Sequence, residues 1–344
     1  MTQSGLRTRA VTPTPLTAVL ASVIIPAHNA ERYVGEAVTS VLTQGVSDLE
    51  VIVVDDASTD NTAQVVASFD DPRVRLVRLP KVGVGAARNR GLCVARGQFI
   101  AFLDADDRWC AGKLSRQIAL LQAEPEVGFV FTNFRRFDAG GLHEQTQFDY
   151  VPQLADVATR PAAAGGGKVI TDDTFTALVG MSQLPCWIQT MLARAEAVRP
   201  LAFPPDMRLS QDLCFVLNVY HVARGAYIEE PLVEVRRHDA NSYRRADEKL
   251  LPDLEALTRA LSDVIDPAHR EALRRRIGRA WLRAGYYYLW TGRTGAAAHA
   301  YARALAFPGS RRAALARLAV TPLAPILARK ASREFSAPFP SSRP

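Results

Sequence analysis

Short apolar runs alternate with helix-period stretches through the first 130 residues. "AVLASVIIPA" predicts a strand ending at Pro26. In "NAERYVGEAVTSVLTQ" the residues Tyr33, Val34, Ala37, Val38, Val41 and Leu42 recur at helical spacing, with Asn29 as the N-cap. "DLEVIVVDDAS" is a near-continuous apolar run, the pattern of a strand inside a parallel sheet. Ser58 or Asp60 then caps a helix over "NTAQVVASF". "VRLVRL" predicts a third strand, "VGAARNRGLCVA" a helix and "QFIAFLD" a fourth strand. Alternation of this kind implies an α/β sheet built from right-handed crossovers. From about 135 to 185 the pattern weakens, and "ATRPAAAGGGKVI" reads as a loop or mobile lid. Periodicity resumes in "CWIQTMLAR", in a helix beginning near Gln211, and in a strand over "YIEEPLVEVRRHDANS" that ends in a polar cluster. Beyond about 247 the chain reads as wholly helical, with one tetratricopeptide-like hairpin. A single such unit is too few for a solenoid, so it is expected to pack on the main domain.

Ligands of open α/β sheets bind beyond the carboxyl ends of the strands. Three predicted strand ends carry polar groups: Pro26 to Glu31, Asp55-Asp56, and Asp104 to Asp107. The last is the sharpest, because "FIAFLDADDRW" runs from buried apolar residues straight into three carboxylates. Such a segment either runs out into a solvated turn or shares a cation, and the Asp-x-Asp spacing alone leaves both open.

Composition narrows the class only a little. At 48% apolar and 22% charged residues the chain is an ordinary globular protein. Cys93, Cys110, Cys186 and Cys214 form no CxxC pair, which argues against a zinc site and fits buried thiols in a reducing cytosol. No stretch approaches the ~20 apolar residues of a membrane span. Residues 1–20 read as a flexible leader without a signal-peptide core, and 335–344 as a disordered tail. Residues 251–344 hold 16 Lys and Arg against 6 Asp and Glu, so the overall +7 belongs to the tail and the first 250 residues sum to −3. A basic tail meets nucleic acid or anionic lipid, or is simply a solvated face.

"SVIIPAHNAERYVGEAVTSVLTQ", "EVIVVDDASTDNT", "GVGAARNRGL" and "FIAFLDADDRW" stand in the order and spacing of family 2 glycosyltransferases, and the chain resembles that family from Ser22 to Leu114, more weakly to Ser242. The resemblance implies the GT-A nucleotide-diphospho-sugar transferase fold, a Rossmann-like mixed sheet flanked by helices, over 21–246, with a donor half 21–115 and an acceptor half 116–246. An α-helical C-terminal region over 247–334 follows. It implies that Pro26, Ala27, Asn29 and Glu31 line the nucleoside, with Glu31 accepting from ribose hydroxyls, and that Asp56 accepts from a pyrimidine N–H. Arg88 would border the diphosphate, where a guanidinium fork suits phosphate oxygens. Asp106 would bind Mn²⁺ or Mg²⁺, hard cations that need few protein ligands beside a nucleotide. Asp104 would contact ribose or metal-bound water, and Asp107 would support the loop. The family's catalytic base sits in an acidic pair at a later helix start. Here that pair is Gln211-Asp212, so Asp212 is the expected base and Gln211 positions the acceptor. In "VEVRRHDANS", Val235 replaces a usual Tyr, His238 is a candidate metal ligand, and Arg236 and Arg237 are candidates for phosphate contact. Trp187 is a candidate sugar-stacking residue.

The expected activity is inverting transfer of a hexosyl group from a nucleotide-diphosphate sugar, with UDP-sugar favoured, to a hydroxyl of a glycan or lipid-linked saccharide in surface polysaccharide synthesis. The expected setting is cytoplasmic, with peripheral contact at the inner membrane face through the basic helices and no nucleic-acid partner. Two rivals follow from the departures at Gln211 and Val235 and from the basic tail: a non-catalytic nucleotide-sugar binder, and a membrane- or partner-docking module.

Overall fold

A computed structural model describes residues 19–238 and 246–321. The expected leader, apart from Val19 and Leu20, and the expected tail lie outside the described residues.

The strands are β1 (Ala21–Ala27), β2 (Leu49–Asp56), β3 (Val74–Leu79), β4 (Phe99–Phe102), β5 (Arg108–Trp109), β6 (Val127–Asp138), β7 (Gly141–Thr146), β8 (Thr159–Pro161), β9 (Lys168–Ile170), β10 (Met191–Arg194) and β11 (Arg224–Arg236). The helices are α1 (Val34–Leu42), α2 (Thr62–Ala67), α3 (Val84–Val94), α4 (Lys113–Ala123), α5 (Thr174–Val179), α6 (Ala195–Val198), α7 (Gln211–Val222), α8 (Ala246–Asp263), α9 (Pro267–Trp290), α10 (Thr294–Ala304) and α11 (Arg311–Val320).

One mixed sheet runs β3-β2-β1-β4-β10-β6-β11-β9-β8, with β5 on β11 and β7 on β6. The four strands β3, β2, β1 and β4 are parallel, β10 is antiparallel to both neighbours, and β6 and β11 are parallel again. β1 and β2 are buried along their whole length, which is why their sequences read as unbroken apolar runs. One apolar layer lies under α1 and α4. The other joins α3, α5 and α7 to α8, α9 and α10, so the C-terminal helices share a core with the sheet. α3 seats tightly: a Cβ on Gly91 would stand 2.3 Å from Cγ2 of Ile24.

Two sequence expectations need correction. Residues 158–170 are a hairpin, β8 and β9, rather than a loop or lid, with Arg116 Nε donating to Gly165 O at its turn (3.1 Å). Strands of three residues are too short for alternation to register in sequence. Asn29 does not cap α1, whose N-cap position is Tyr33; Asn29 instead sits in a left-handed turn (φ 49°). The expected helix over "NTAQVVASF" forms as α2, and Asp60 Oδ1 accepts from the Thr62 amide at its start (3.0 Å).

Candidate active site

The register pairs Ala27 with Asp55 and Ile24 with Phe102, so the ends of β1, β2 and β4 open onto one edge. At the β1 end, the turn after Pro26 and Ala27 is stitched to the loop after β2. Asn29 Oδ1 accepts from the Thr59 amide (2.9 Å), and Asn29 N donates to Ser58 Oγ (3.0 Å). Glu31 Oε2 accepts from both the amide and the side chain of Asn61 (2.9 Å each), which leaves Oε1 without a protein partner among the described residues. Asp56 is buried and closes the loop after β3: Oδ1 accepts from Val82 N (2.6 Å) and Oδ2 from Gly83 N (3.0 Å). Lys81 Nζ stands 3.4 Å from Oδ2 as well; an ionised carboxylate has about four lone-pair sites, so Oδ1 can still accept once more.

The acid loop after β4 is the centre of the arrangement. Arg88, 4% exposed on α3, donates from Nη2 to Asp104 Oδ1 (2.6 Å), while its buried Nε and Nη1 have no hydrogen-bond partner among the described residues. Desolvation pushes the Asp104 carboxyl up; Arg88 opposes this, and the charges of Asp106 and Asp212 add to it. Asp212, the first-turn acid of α7, is near enough for its charge to act on Asp104. His238 Nε2 lies 2.9 Å from Asp106 Oδ2 and its ring stacks on Tyr33 (centroids 4.9 Å apart). Asp107 is buried behind them, accepting from the Arg236 amide (2.8 Å) and Gln189 Nε2 (3.1 Å). Burial, and after it Asp106 and Asp104, push its carboxyl well above the usual range.

The residues expected to hold donor, cation and base thus converge. Trp187 stands apart on the β6 face, against Phe134 (4.7 Å) and Arg136 (5.4 Å). Gln211 is buried where α7 meets α3, close to Gly85. Among the described residues no group of three or more His, Cys, Asp or Glu side chains is spaced to hold a metal. The carboxylate of Asp106 with the imidazole of His238 fits a cation that draws its other ligands from phosphate and water, as Mg²⁺ does beside nucleotides. Mn²⁺ suits the same mix of ligands.

Sequence reasoning named Arg236 for phosphate contact and missed that it braces the acid loop, together with its partners. Arg236 donates from Nε to Asp106 O (2.9 Å) and from Nη2 to Glu36, and Arg108 bridges Glu36 and Glu234. Tyr33 read as part of a helix face and Gln189 as part of an apolar stretch; nothing local marked them or Glu36, because their partners lie 72 to 205 positions along the chain.

Residues 22–177 match the family model described as glycosyl transferase family 2. The putative teichuronic acid biosynthesis glycosyltransferase TuaG of Bacillus subtilis (strain 168) is 40% identical over 223 residues, 63% of this chain and 79% of that protein. An Escherichia coli protein, the UDP-Glc:alpha-D-GlcNAc-diphosphoundecaprenol beta-1,3-glucosyltransferase WfgD, is 40% identical over 116 residues. That match spans 33% of this chain and under half (46%) of the relative. Among solved structures, residues 1–349 of TarS from S. aureus in complex with UDP-GlcNAc superpose with a TM-score of 0.64 at 19% identity, covering 92% of each chain. The Pyrobaculum calidifontis mannosyltransferase PcManGT, in complex with GDP-Man and Mn2+, gives 0.53 at 21% identity over 92% of this chain and 81% of that one. These likenesses establish the GT-A fold, and the sequence matches establish more: the chain belongs to glycosyltransferase family 2 and is a transferase enzyme.

Proposed function

We propose that this enzyme moves a sugar with inversion from a UDP-sugar to a hydroxyl of a glycan or lipid-linked saccharide, in surface polysaccharide synthesis. The observation that carries the reading is Arg88. Native proteins rarely leave buried polar atoms unpaired, yet two buried guanidinium nitrogens here have no hydrogen-bond partner among the described residues, beside a loop of three acids. The phosphate oxygens of a nucleotide sugar supply the missing acceptors and match the fork.

In this reading Asp56 and Glu31 hold the base and ribose, while Pro26, Ala27 and Asn29 wall the nucleoside. Asp106 and His238 would hold Mn²⁺ or Mg²⁺, which neutralises charge on the departing diphosphate. Asp212 takes the proton of the acceptor hydroxyl as its oxygen attacks the anomeric carbon. The anomeric C–O bond breaks on the opposite face, and its electron pair leaves on the diphosphate toward Arg88. Asp104 orients Arg88 and the ribose; Asp107 and Gln189 keep the loop in place. Gln211 and Trp187 border the acceptor. The domain limits given above are retained as part of the proposal, as is a peripheral position at the inner membrane face. The +10 charge of residues 251–344 supports that position, and so does the lipid-linked substrate in the E. coli relative's name. Among the described residues no helix is long and apolar enough to cross a membrane.

The test is a panel of UDP-, dTDP- and GDP-sugars, scored by thermal shift and by transfer, with and without Mn²⁺. UDP-sugars with Mn²⁺ are expected to stabilise the chain most; stabilisation by none of the nucleotides would overturn the reading. Asp212→Asn is expected to lower kcat by about 10²–10⁴ while leaving UDP affinity within about twofold. An unchanged kcat would move the base elsewhere.

A further inference from the structure

Most arginines around the acid loop are paired: Arg88 with Asp104, Arg108 with Glu36 and Glu234, Arg236 with Glu36. Two others nearby are not. Arg136 makes one side-chain hydrogen bond, Nη2 to Gln147 Oε1 (2.9 Å), and its guanidinium is flanked by the rings of Phe134, Tyr150 and Trp187 at 5.1, 5.3 and 5.4 Å. Arg237 donates its amide to Phe137 O (2.7 Å), and its exposed side chain has no partner among the described residues. The parallel register sets Val235 beside Arg136 and Arg236 beside Phe137. Side chains alternate along a strand, and the Arg237 amide carries the ladder one residue past the end of β11, so Arg237 follows Val235 toward the Arg136 face. The two cations feel each other: burial, then the charge of Arg237, pull Arg136 down to about 10.

Bringing two like charges together on a half-buried surface is unfavourable unless an anion joins them. We propose that Arg136 and Arg237 form a subsite for a phosphate group carried by the acceptor. The inference rests on the donor reading given above and adds a substrate class to it. Position across the sheet assigns the phosphate to the acceptor and not to the donor. The nucleoside groups lie at β2 and β1, and the acid loop with Arg88 follows β4. Arg136 stands two strands further on, at β6, beyond the loop. Arg237 directly precedes His238, so the subsite adjoins the place of transfer from the far side. Trp187 and Tyr150 wall it, giving an acceptor saccharide flat apolar faces beside its charged end. Guanidinium forks suit phosphate in two-point contact. Acceptors of this class are phosphodiester-linked glycans or saccharides on a lipid diphosphate.

The test uses the full chain saturated with UDP and Mg²⁺, so that the donor's own phosphate positions are filled, and titrates inorganic phosphate by calorimetry. Wild type is expected to bind phosphate in this state. Arg237→Gln, a surface change, and Arg136→Gln are each expected to weaken it about tenfold or more, the scale of a lost charge-assisted hydrogen bond, with UDP affinity within about twofold. The proposal is overturned if phosphate does not bind with UDP in place, or if the variants weaken UDP and spare phosphate. Either result would return the pair to the donor or to simple packing. Should wild type bind no UDP, the donor reading fails by itself. Phosphate titrated into the nucleotide-free chain and the same variants then decides the Arg136–Arg237 pair independently. Melting temperatures of both variants guard against unfolding.

Discussion

Arg88 lies on a helix whose sequence carries almost no amphipathic signal, and it is buried there with one carboxylate and two nitrogens that have no hydrogen-bond partner among the described residues. A side chain placed for packing alone would be exchanged for an apolar one at little cost, since buried ion pairs often give no net stability. Arg88→Met therefore separates two requirements. Its partner Asp104 retains 32% exposure and can rehydrate, so the melting temperature is expected to change by only a few degrees, the size of about 1 kcal/mol in a domain this large. UDP affinity is expected to fall at least tenfold, as measured by calorimetry with Mg²⁺. Equal loss of both would make Arg88 a structural residue.

Among elements, the start of α7 matters most. Ser210 is buried with a left-handed backbone (φ 59°), directly before Gln211 and Asp212. Such conformations cost of order 1–3 kcal/mol and persist where surroundings impose them. The surroundings here belong to α8: Ser210 Oγ donates to Asp253 Oδ1 (2.6 Å), and Arg259 grips Asp206 with two 2.6 Å hydrogen bonds. Asp253→Ala is expected to loosen the placement of Asp212, the proposed base, without touching the donor, so kcat falls about tenfold or more at unchanged UDP affinity, in line with the sensitivity of rate to small misplacements. Asp253→Asn keeps an acceptor oxygen and is expected to restore most of the rate. A uniform loss of stability and of UDP binding in both variants would mean that the contact only holds the fold.

At the scale of the whole molecule, the junction between α7 and the C-terminal helices contains a chain of titrating groups. His221 Nδ1 meets His269 Nδ1 at 2.8 Å, and His269 Nε2 meets Asp173 Oδ2 at 3.0 Å. Burial, then the neighbouring His269, lower the pKa of His221 below 6.5, against the pull of Asp266 and Asp173. The folded chain thus keeps His221 neutral, while an unfolded chain takes up its proton below about 6.5. Stability from this group is present above that value and is lost as pH falls through it. A melting curve taken from pH 7.5 to 5.5 is expected to shift down, and His221→Asn to flatten the shift; an equal slope in both would place the pH dependence elsewhere. The same scale separates what the chain discloses from what it conceals. β1, β2, β4 and the acids at their ends are legible because burial on both faces writes continuous apolar runs, and a carboxylate after such a run is conspicuous. The Gln189–Asp107 bond and the Arg236–Glu36 pair were illegible because they join residues 82 and 200 positions apart. The β8–β9 hairpin was hidden by its brevity and by its glycines.

The bond from Ser210 to Asp253 also has a consequence in time. During synthesis β1 to β4 and the acid loop leave the ribosome well before α8, while β11 with Arg236 and His238 leaves only just ahead of it. Transfer competence then arrives late, only once the helices that brace α7 have docked.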